Sequence, residues 1–233
     1  MERSYNQYCA TARTLDIVGE RWTLLLIREL LTGPKRFSDL QRNLRGLGTG
    51  LLSARMRNME SQGLVRRITL PPPARTPAYA LTPAGEELGP VVLSLARWGL
   101  KWAMEDPRDE EAFHPGWAVL GLHVCFQPEA AAGLRVTYEF RVGDETFHTR
   151  VHDGTLDTVH GPAQYPDAVI TTDERTFRDV TAGKVTLGGA LESGTASASG
   201  DPGALRALPA LFVLPARRCG VPERRGPARR TRP

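Results

Sequence analysis

Small side chains precede two arginines in one short stretch of the chain. Thr49, Gly50 and Ser53 are small. Arg55 and Arg57 carry long cationic side chains. A guanidinium holds a phosphate, or binds O6 and N7 of a guanine through two hydrogen bonds, and small neighbours let the backbone approach a partner closely. The stretch therefore predicts a surface that contacts nucleic acid.

A second cationic cluster precedes this stretch. Lys35 and Arg36 come just before Ser38, and Ser38 and Gln41 have the spacing of a capping box. A capping box starts a helix, and the free backbone N–H groups at a helix start can hold a phosphate. We therefore expect Arg36 and Ser38 to contact the DNA backbone.

Hydrophobic periodicity assigns these residues to a helix-turn-helix. Residues 22–31 read as an apolar central helix and residues 49–62 as a second helix, with Leu52, Met56 and Met59 on its inner face. Helix-turn-helix geometry also occurs in helical cores that have no DNA role. Residues 64–70 and 78–81 then alternate as two strands, and Arg75 lies in the proline-rich loop between them. This hairpin predicts a wing whose arginine enters a minor groove, and it favours DNA binding.

The last helix of this region carries an apolar stripe. Thr82-Pro83 predicts the start of one long helix, because threonine caps helices and proline occupies their first position. Apolar residues then recur every three or four positions. Such a stripe is usually core, but one small domain cannot cover two tryptophans near a helix end. We therefore predict a dimer interface. It comprises Leu88, Val91, Leu95, Trp98 and Trp102.

Charge is unevenly distributed along the 233 residues. The net charge is +7 over residues 1–104, −9 over 105–216 and +6 over 217–233. A polyanion would therefore bind the N-terminal part. The start has no apolar signal segment, no apolar run reaches ~18 residues, and three widely spaced cysteines fit a reducing compartment. We expect a cytoplasmic protein without a membrane span.

Residues 5–104 resemble the HxlR-type winged helix-turn-helix regulators. The sequences GERW at 19–22, FSDL at 37–40, LSAR at 52–55 and LTPAG at 81–85 carry the resemblance. It implies a homodimeric bacterial regulator, often a repressor, that binds a pseudo-palindromic operator. It also implies that Thr49, Gly50, Ser53, Arg55 and Arg57 belong to the recognition helix and Arg75 to the wing. Relatives commonly have a bulkier polar residue where Gly50 stands.

Cys9 occupies the position at which some members of that family sense oxidants. A sensing thiol needs thiolate character and access, and Arg13 lies one helical turn away. The alternative is a small buried apolar side chain, which is what free cysteines usually are. Cys125 and Cys219 lie elsewhere in the chain, so we expect no resolving partner other than Cys9 of a second copy.

The second half resembles the sterol carrier protein type 2 fold. Strands at 134–142, 146–152, 156–159 and 168–171 precede helices at 174–181 and 187–192, a strand at 195–199 and a last helix after 201–202. Residues 117–126 are assigned to a helix on the resemblance alone. Such domains bind apolar molecules, and a filled core would give the same pattern. The candidate pocket residues are Phe140, Phe147, Val151, Ile170 and Phe177.

Nothing in the sequence indicates an enzyme. All five histidines lie in the second half, but no metal-ligand spacing, nucleophile elbow or phosphate loop accompanies them. We therefore expect no catalytic residue, metal or cofactor.

The predicted fold class is α+β. The expected parts are a winged helix-turn-helix domain at 1–104, a linker at 105–111, a sterol-carrier-like domain at 112–213 and a basic disordered tail at 214–233. The expected partners are an operator in double-stranded DNA, a second copy of the chain and an apolar small-molecule effector. The alternative is a lipid or acyl-ligand carrier whose winged helix serves mainly for dimerisation.

Overall fold

The computed structural model describes residues 4–104, 111 and 114–215. In the N-terminal region, four helices precede a two-stranded hairpin: α1 (Ala10–Val18), α2 (Thr23–Leu31), α3 (Phe37–Asn43), α4 (Thr49–Ser61), β1 (Val65–Thr69) and β2 (Pro77–Leu81). Helices α5 (Pro83–Glu86) and α6 (Gly89–Trp102) follow. The predicted elements are thus present, with α3 and α4 as the helix-turn-helix and β1–β2 as the wing.

The central helix is buried as its composition requires. Leu26 and Ile27 of α2 are fully inaccessible to solvent, and Leu40 of α3 packs against them. Leu52, Met56 and Met59 of α4 complete this core, as the spacing predicted. The backbone of Lys35 also pairs with that of Tyr79, which ties the start of α3 to the second wing strand.

Two local predictions were wrong. Helix α3 begins at Phe37, and its capping carboxylate belongs to Asp39, which accepts a hydrogen bond from the Arg36 N–H at 3.2 Å. Ser38 lies inside the first turn and is not the cap. The single long helix after Thr82 is in fact α5 and α6, because Pro90 at the start of α6 has no N–H with which to continue α5.

The C-terminal region follows the predicted order of elements. Helix α7 (Pro115–Cys125) and a 3-10 turn (Pro128–Ala131) precede β3 (Arg135–Val142), β4 (Glu145–His152), β5 (Thr155–His160) and β6 (Ala168–Thr172). Helices α8 (Glu174–Thr181) and α9 (Leu187–Glu192), strand β7 (Ala196–Gly200) and helix α10 (Pro202–Leu211) complete it. The helix expected at 117–126 is confirmed by α7.

Strands β3 to β7 form one sheet with the order β5-β4-β3-β6-β7. All pairs are antiparallel except β3 with β6. Tyr138 and Phe140 of β3 face the same side as Phe147 of β4, and helices α7, α8 and α10 cover that side. The Tyr138 hydroxyl donates to the Ala204 carbonyl at 2.7 Å, and burial raises the pKa of Tyr138 to about 12.

Most of the predicted linker and tail lies outside the described residues, so their assignments stay predictions. Within residues 4–104, 111 and 114–215, we find no helix of sufficient length and hydrophobicity to cross a bilayer.

Candidate nucleic-acid interface

Helix α4 presents one polar face to solvent. Its apolar residues anchor it in the core, and the turn before it is fixed by the buried side chain of Leu47. Thr49, Gly50 and Arg57 are exposed and Ser53 is half-buried on the opposite face. A Cβ atom built on Gly50 would meet nothing within 4 Å, so glycine is not required there for packing. The first turn of α4 is therefore open to a macromolecular partner.

Helices α3 and α4 are joined by a side-chain contact on this surface. Gln41 Nε2 donates to Thr49 Oγ1 at 2.7 Å. The bond links the exposed side of the first helix of the motif to the first residue of the second. It orients the Thr49 hydroxyl and occupies one of its two acceptor lone pairs.

Arg55 does not share this face. Successive helical residues are about 100° apart, so Arg55 projects away from Ser53 and Arg57. Its guanidinium forms an ion pair with Glu20, and its Nε donates to the Arg21 carbonyl at 3.2 Å. The side chain is only 18% exposed. Arg55 thus ties α4 to the turn between α1 and α2 in the free chain, and its contact with DNA stays a prediction.

Arg57 is the exposed cation of the recognition helix. In the described part of the chain it forms no ion pair. It borders an open cleft of about 330 Å³ between α4 and the wing, together with Ser53, Arg67 and Tyr79. Sequence reasoning missed Arg67, although its place on the first wing strand was a signal. Arg67 lies 5.8 Å from the centre of the Tyr79 ring, and its Nη2 is 3.3 Å from a Glu60 carboxylate oxygen.

Arg75 lies at the wing loop, as predicted. Its side chain is exposed and its φ is +40°, a left-handed conformation that non-glycine residues adopt mainly in tight turns. Arg75 therefore lies at the tip of the wing, beyond the last residue pair of the β1–β2 ladder.

The start of α3 is less favourable to phosphate than predicted. Ser38 is exposed, but the Asp39 carboxylate accepts the Arg36 N–H and also pairs with Arg42 at 2.9 Å. Burial lowers the pKa of Lys35, while carboxylates of Glu29, Asp39 and Glu145 partly oppose this effect. Negative charge therefore already lies where the helix start would receive an anion.

Helix α6 carries an exposed apolar stripe. Val91, Leu95 and Trp98 have 44%, 50% and 57% of their surface accessible, whereas Leu88 and Trp102 are half-buried. Single exposed apolar residues are common, but three on consecutive turns of one helix form a continuous patch. The outer part of the predicted interface is therefore uncovered in the single chain.

Cys9 is exposed at the N-terminus of α1. Backbone N–H groups of Ala12 and Thr11 lower the pKa of its thiol. The Cys9 pKa is lowered by these N–H groups and not, as had been predicted, by Arg13. The alternative of a buried Cys9 is wrong. Cys125 behaves oppositely, because burial raises the pKa of its thiol to about 11.

The candidate ligand residues are packed against one another. Phe140 and Phe147 stack with ring centres 5.2 Å apart, and Phe177 lies 6.1 Å from Phe147. Val151 and Ile170 are equally buried in the same cluster. The cavity beside Phe147 measures about 20 Å³, the space of one water molecule. In this conformation the five side chains form a filled core.

The histidines do not assemble a metal centre. No cluster of three or more His, Cys, Asp or Glu side chains suited to a metal occurs in residues 4–104, 111 and 114–215. His148 is buried and pairs with the Gly161 carbonyl at 2.9 Å, and His160 pairs with Glu145 at 2.9 Å. His148 is shielded from solvent because the segment after β5 covers its side of the sheet.

Comparison with known proteins agrees with this geometry. The model of the HxlR-like helix-turn-helix family matches residues 17–107. The uncharacterized HTH-type transcriptional regulator YvaP of Bacillus subtilis is 32% identical over 90 residues, which are 39% of this chain and 83% of that protein. The chain belongs to the HxlR-like helix-turn-helix family.

Other relatives of this HxlR-like protein match a similar share of the chain. The uncharacterized HTH-type transcriptional regulator Mb3122 of Mycobacterium bovis is 40% identical over 90 residues, which cover 39% of this chain and 56% of that protein. The solved structure of the redox regulator HypR in its reduced form is 30% identical and covers 39% of this chain and 90% of its own, with a TM-score of 0.36.

A second family model, alkyl sulfatase C-terminal, matches residues 120–218 of the HxlR-like protein. This match fits the sterol-carrier-like resemblance predicted for the second half. The predicted architecture, a winged helix-turn-helix followed by an α+β domain, is confirmed.

Proposed function

We propose that this HxlR-like protein is a cytoplasmic, sequence-specific DNA-binding regulator of transcription that acts as a homodimeric repressor. The observation that carries the proposal is the exposed face of α4. Thr49, Gly50, Ser53 and Arg57 leave the helix unobstructed, and Arg75 extends from the adjacent wing. A helix and a wing arranged in this way fit a major groove and its neighbouring minor groove.

Base readout would rest on few side chains. Arg57 can bind a guanine edge or a phosphate, and Ser53 can donate or accept a hydrogen bond. Gly50 offers no side chain, which reduces direct readout but allows the backbone to come close. Arg36 and Ser38 would supply weaker contacts to the DNA backbone at the first helix of the motif, because the Asp39 carboxylate lies beside them.

The dimer would use the apolar stripe of α6. Burial of Val91, Leu95 and Trp98 against a second copy removes the largest exposed apolar side chains of that helix from water. A two-fold axis there would present two copies of α4 to half-sites about one helical turn, ~34 Å, apart.

The C-terminal domain would receive an apolar effector. Such a ligand must separate Phe140 from Phe147, since the present core is filled. It alters operator affinity only if it binds the DNA-competent and incompetent states unequally. No cofactor or metal is required for this function.

The test is selection of genomic fragments by the purified full-length protein near physiological salt, so that nonspecific phosphate binding is suppressed. The proposal expects fragments that share an inverted repeat and lose enrichment with Arg57→Ala. Arg135→Ala, an exposed arginine of the C-terminal sheet, is the matched control and should retain it. Salt-sensitive binding without a shared sequence would contradict the proposal and favour the carrier alternative.

A further inference from the structure

A buried carboxylate joins the two domains. Glu29 of α2 is 2% exposed and has no solvent to stabilise its charge. Its Oε1 accepts hydrogen bonds from the Trp117 indole at 2.6 Å and from Arg28 Nη2 at 2.8 Å, and its Oε2 accepts from Asn43 Nδ2 at 3.0 Å. Burying a charged group is costly unless it is paired and hydrogen-bonded, so each donor matters to the folded state.

The donors come from different parts of the fold. Arg28 is the neighbour of Glu29 on α2, Asn43 is the last residue of α3, and Trp117 lies in the first turn of α7. Trp117 is separated from Glu29 by 88 residues of sequence. The carboxylate therefore connects the C-terminal domain to the helix that precedes the recognition helix.

Trp117 is fixed by a second contact. The Arg28 guanidinium carbon lies 4.0 Å from the centre of the Trp117 ring, within the range of a cation–π interaction. Arg28 thus contacts both the ring and the carboxylate that the ring N–H reaches. The three groups form a closed arrangement in which a displacement of Trp117 disturbs both partners.

The same turn of α7 borders the core of the C-terminal domain. Gly116 and Val119 line the 20 Å³ cavity together with Phe147, one of the predicted ligand-pocket residues. Thr32, directly after α2, also lines this cavity. The first turn of α7 therefore lies between the candidate ligand core and Glu29.

We propose that Trp117 is a positioning residue that couples the C-terminal domain to the helix-turn-helix through Glu29 and Asn43. When α7 holds its present position, the indole N–H and the Asn43 amide share the carboxylate, and the end of α3 is fixed. When α7 shifts, Glu29 loses a donor and α3 loosens. This inference rests on the proposed DNA-binding function and names the route by which the C-terminal domain regulates it.

The test compares Trp117→Phe with wild type in the full-length protein. Phenylalanine keeps an aromatic ring for Arg28 but lacks the N–H donor and the second ring of the indole. Tyr165→Phe is the control, because Tyr165 is an 83% exposed aromatic residue of the same domain. Amide hydrogen exchange of residues 37–43 is measured without DNA, and operator affinity is measured by fluorescence anisotropy.

We expect Trp117→Phe to accelerate exchange of α3 amides and to weaken operator binding about fivefold, at the lower end of typical coupling between sites. In a double-mutant cycle with Asn43→Ala, the combined loss of affinity should be smaller than the product of the single losses, because both residues act through Glu29. If the double variant lost affinity by the full product of the single losses, the coupling would be overturned. It would also be overturned if Trp117→Phe had the same amide exchange and operator affinity as the Tyr165→Phe control. Faster exchange with unchanged affinity would also overturn it.

Failure of the proposed function gives a different result. In that case wild-type protein selects no shared sequence, while the hydrogen-exchange comparison still tests whether Trp117 orders α3. Unchanged exchange of residues 37–43 in Trp117→Phe would then refute the inference.

Discussion

Arg55 and Arg57 are two residues apart on one helix, yet their surroundings in the structure differ. We predict that Arg57→Ala impairs operator binding without loss of stability, and that Arg55→Ala impairs stability first. Arg57 is exposed beside the wing cleft, whereas Arg55 is ion-paired with Glu20 and bonded to the Arg21 carbonyl. The comparison is internally matched, because both variants remove one guanidinium from α4.

The loss of binding free energy expected for Arg57→Ala depends on the two-fold symmetry of the dimer. One specific base contact contributes roughly 1–3 kcal/mol, and a substitution in a homodimer removes two of them. If Arg57 instead contacts phosphate, the affinity falls for all sequences, and the slope of log affinity against log salt decreases by about 1 per contact. A salt titration with operator and random duplexes distinguishes the two modes.

Arg55→Ala should cause a smaller loss, and this loss concerns the free energy of unfolding, which thermal unfolding measures. Glu20 is 45% exposed, so solvent screens the ion pair and reduces its contribution. With the hydrogen bond to the Arg21 carbonyl included, Arg55→Ala should lower the free energy of unfolding by about 1 kcal/mol. A chain of this size then unfolds about 2–4 °C lower. Glu20→Gln removes the charge partner only, and its loss should be no larger than that of Arg55→Ala.

One result would refute this reasoning. If Arg55→Ala abolished operator binding with an unchanged melting temperature, while Arg57→Ala bound normally, then Arg55 would leave Glu20 on contact with DNA. The free structure would then not represent the bound recognition helix.

Three further predictions concern titration and assembly. Cys9 should react with iodoacetamide at pH 7.5 on the order of a hundredfold faster than Cys125, because the pKa of Cys9 is lowered and that of Cys125 is raised to about 11. Peptide mass spectrometry measures both rates, and equal rates would contradict this prediction. Burial lowers the pKa of His123, so the unfolded chain binds the proton more readily, and the free energy of unfolding should fall as the pH drops below about 6.5. In urea titrations His123→Gln should flatten this pH dependence, and an unchanged dependence would count against the prediction. Leu95→Glu should convert a dimer to a monomer in sedimentation without loss of helix content, whereas a persistent dimer would exclude the α6 stripe as the interface.

Local sequence patterns predicted most of the fold. The apolar spacing in α4 and the alternation in β3 and β4 gave their inner faces, because periodicity depends only on neighbouring residues. Boundaries were less certain where two local signals competed. Ser38 and Asp39 both favour a helix start, and the structure uses Asp39 with Arg36. Pro90 carried the signal for the break before α6.

The site was predicted less completely than the fold, because side-chain direction depends on distant partners. The orientation of Arg55 requires knowledge that Glu20 lies beside α4. The link between Glu29 and Trp117 joins residues of separate domains, and each residue taken alone has an ordinary structural explanation. The apolar residues near Phe147 illustrate another limit, since a ligand pocket and a filled core require the same side chains.

The opposed charges of the two halves meet near Lys35. Glu145 of the C-terminal sheet acts on this lysine from one side, and Asp39 acts from α3 itself. A phosphate approaching the start of α3 would therefore meet two carboxylates in addition to the cation. Arg57 and Arg75 lie on the exposed faces of α4 and the wing. Of the proposed DNA contacts, we therefore expect those of the recognition helix and wing to contribute more than those at the start of α3.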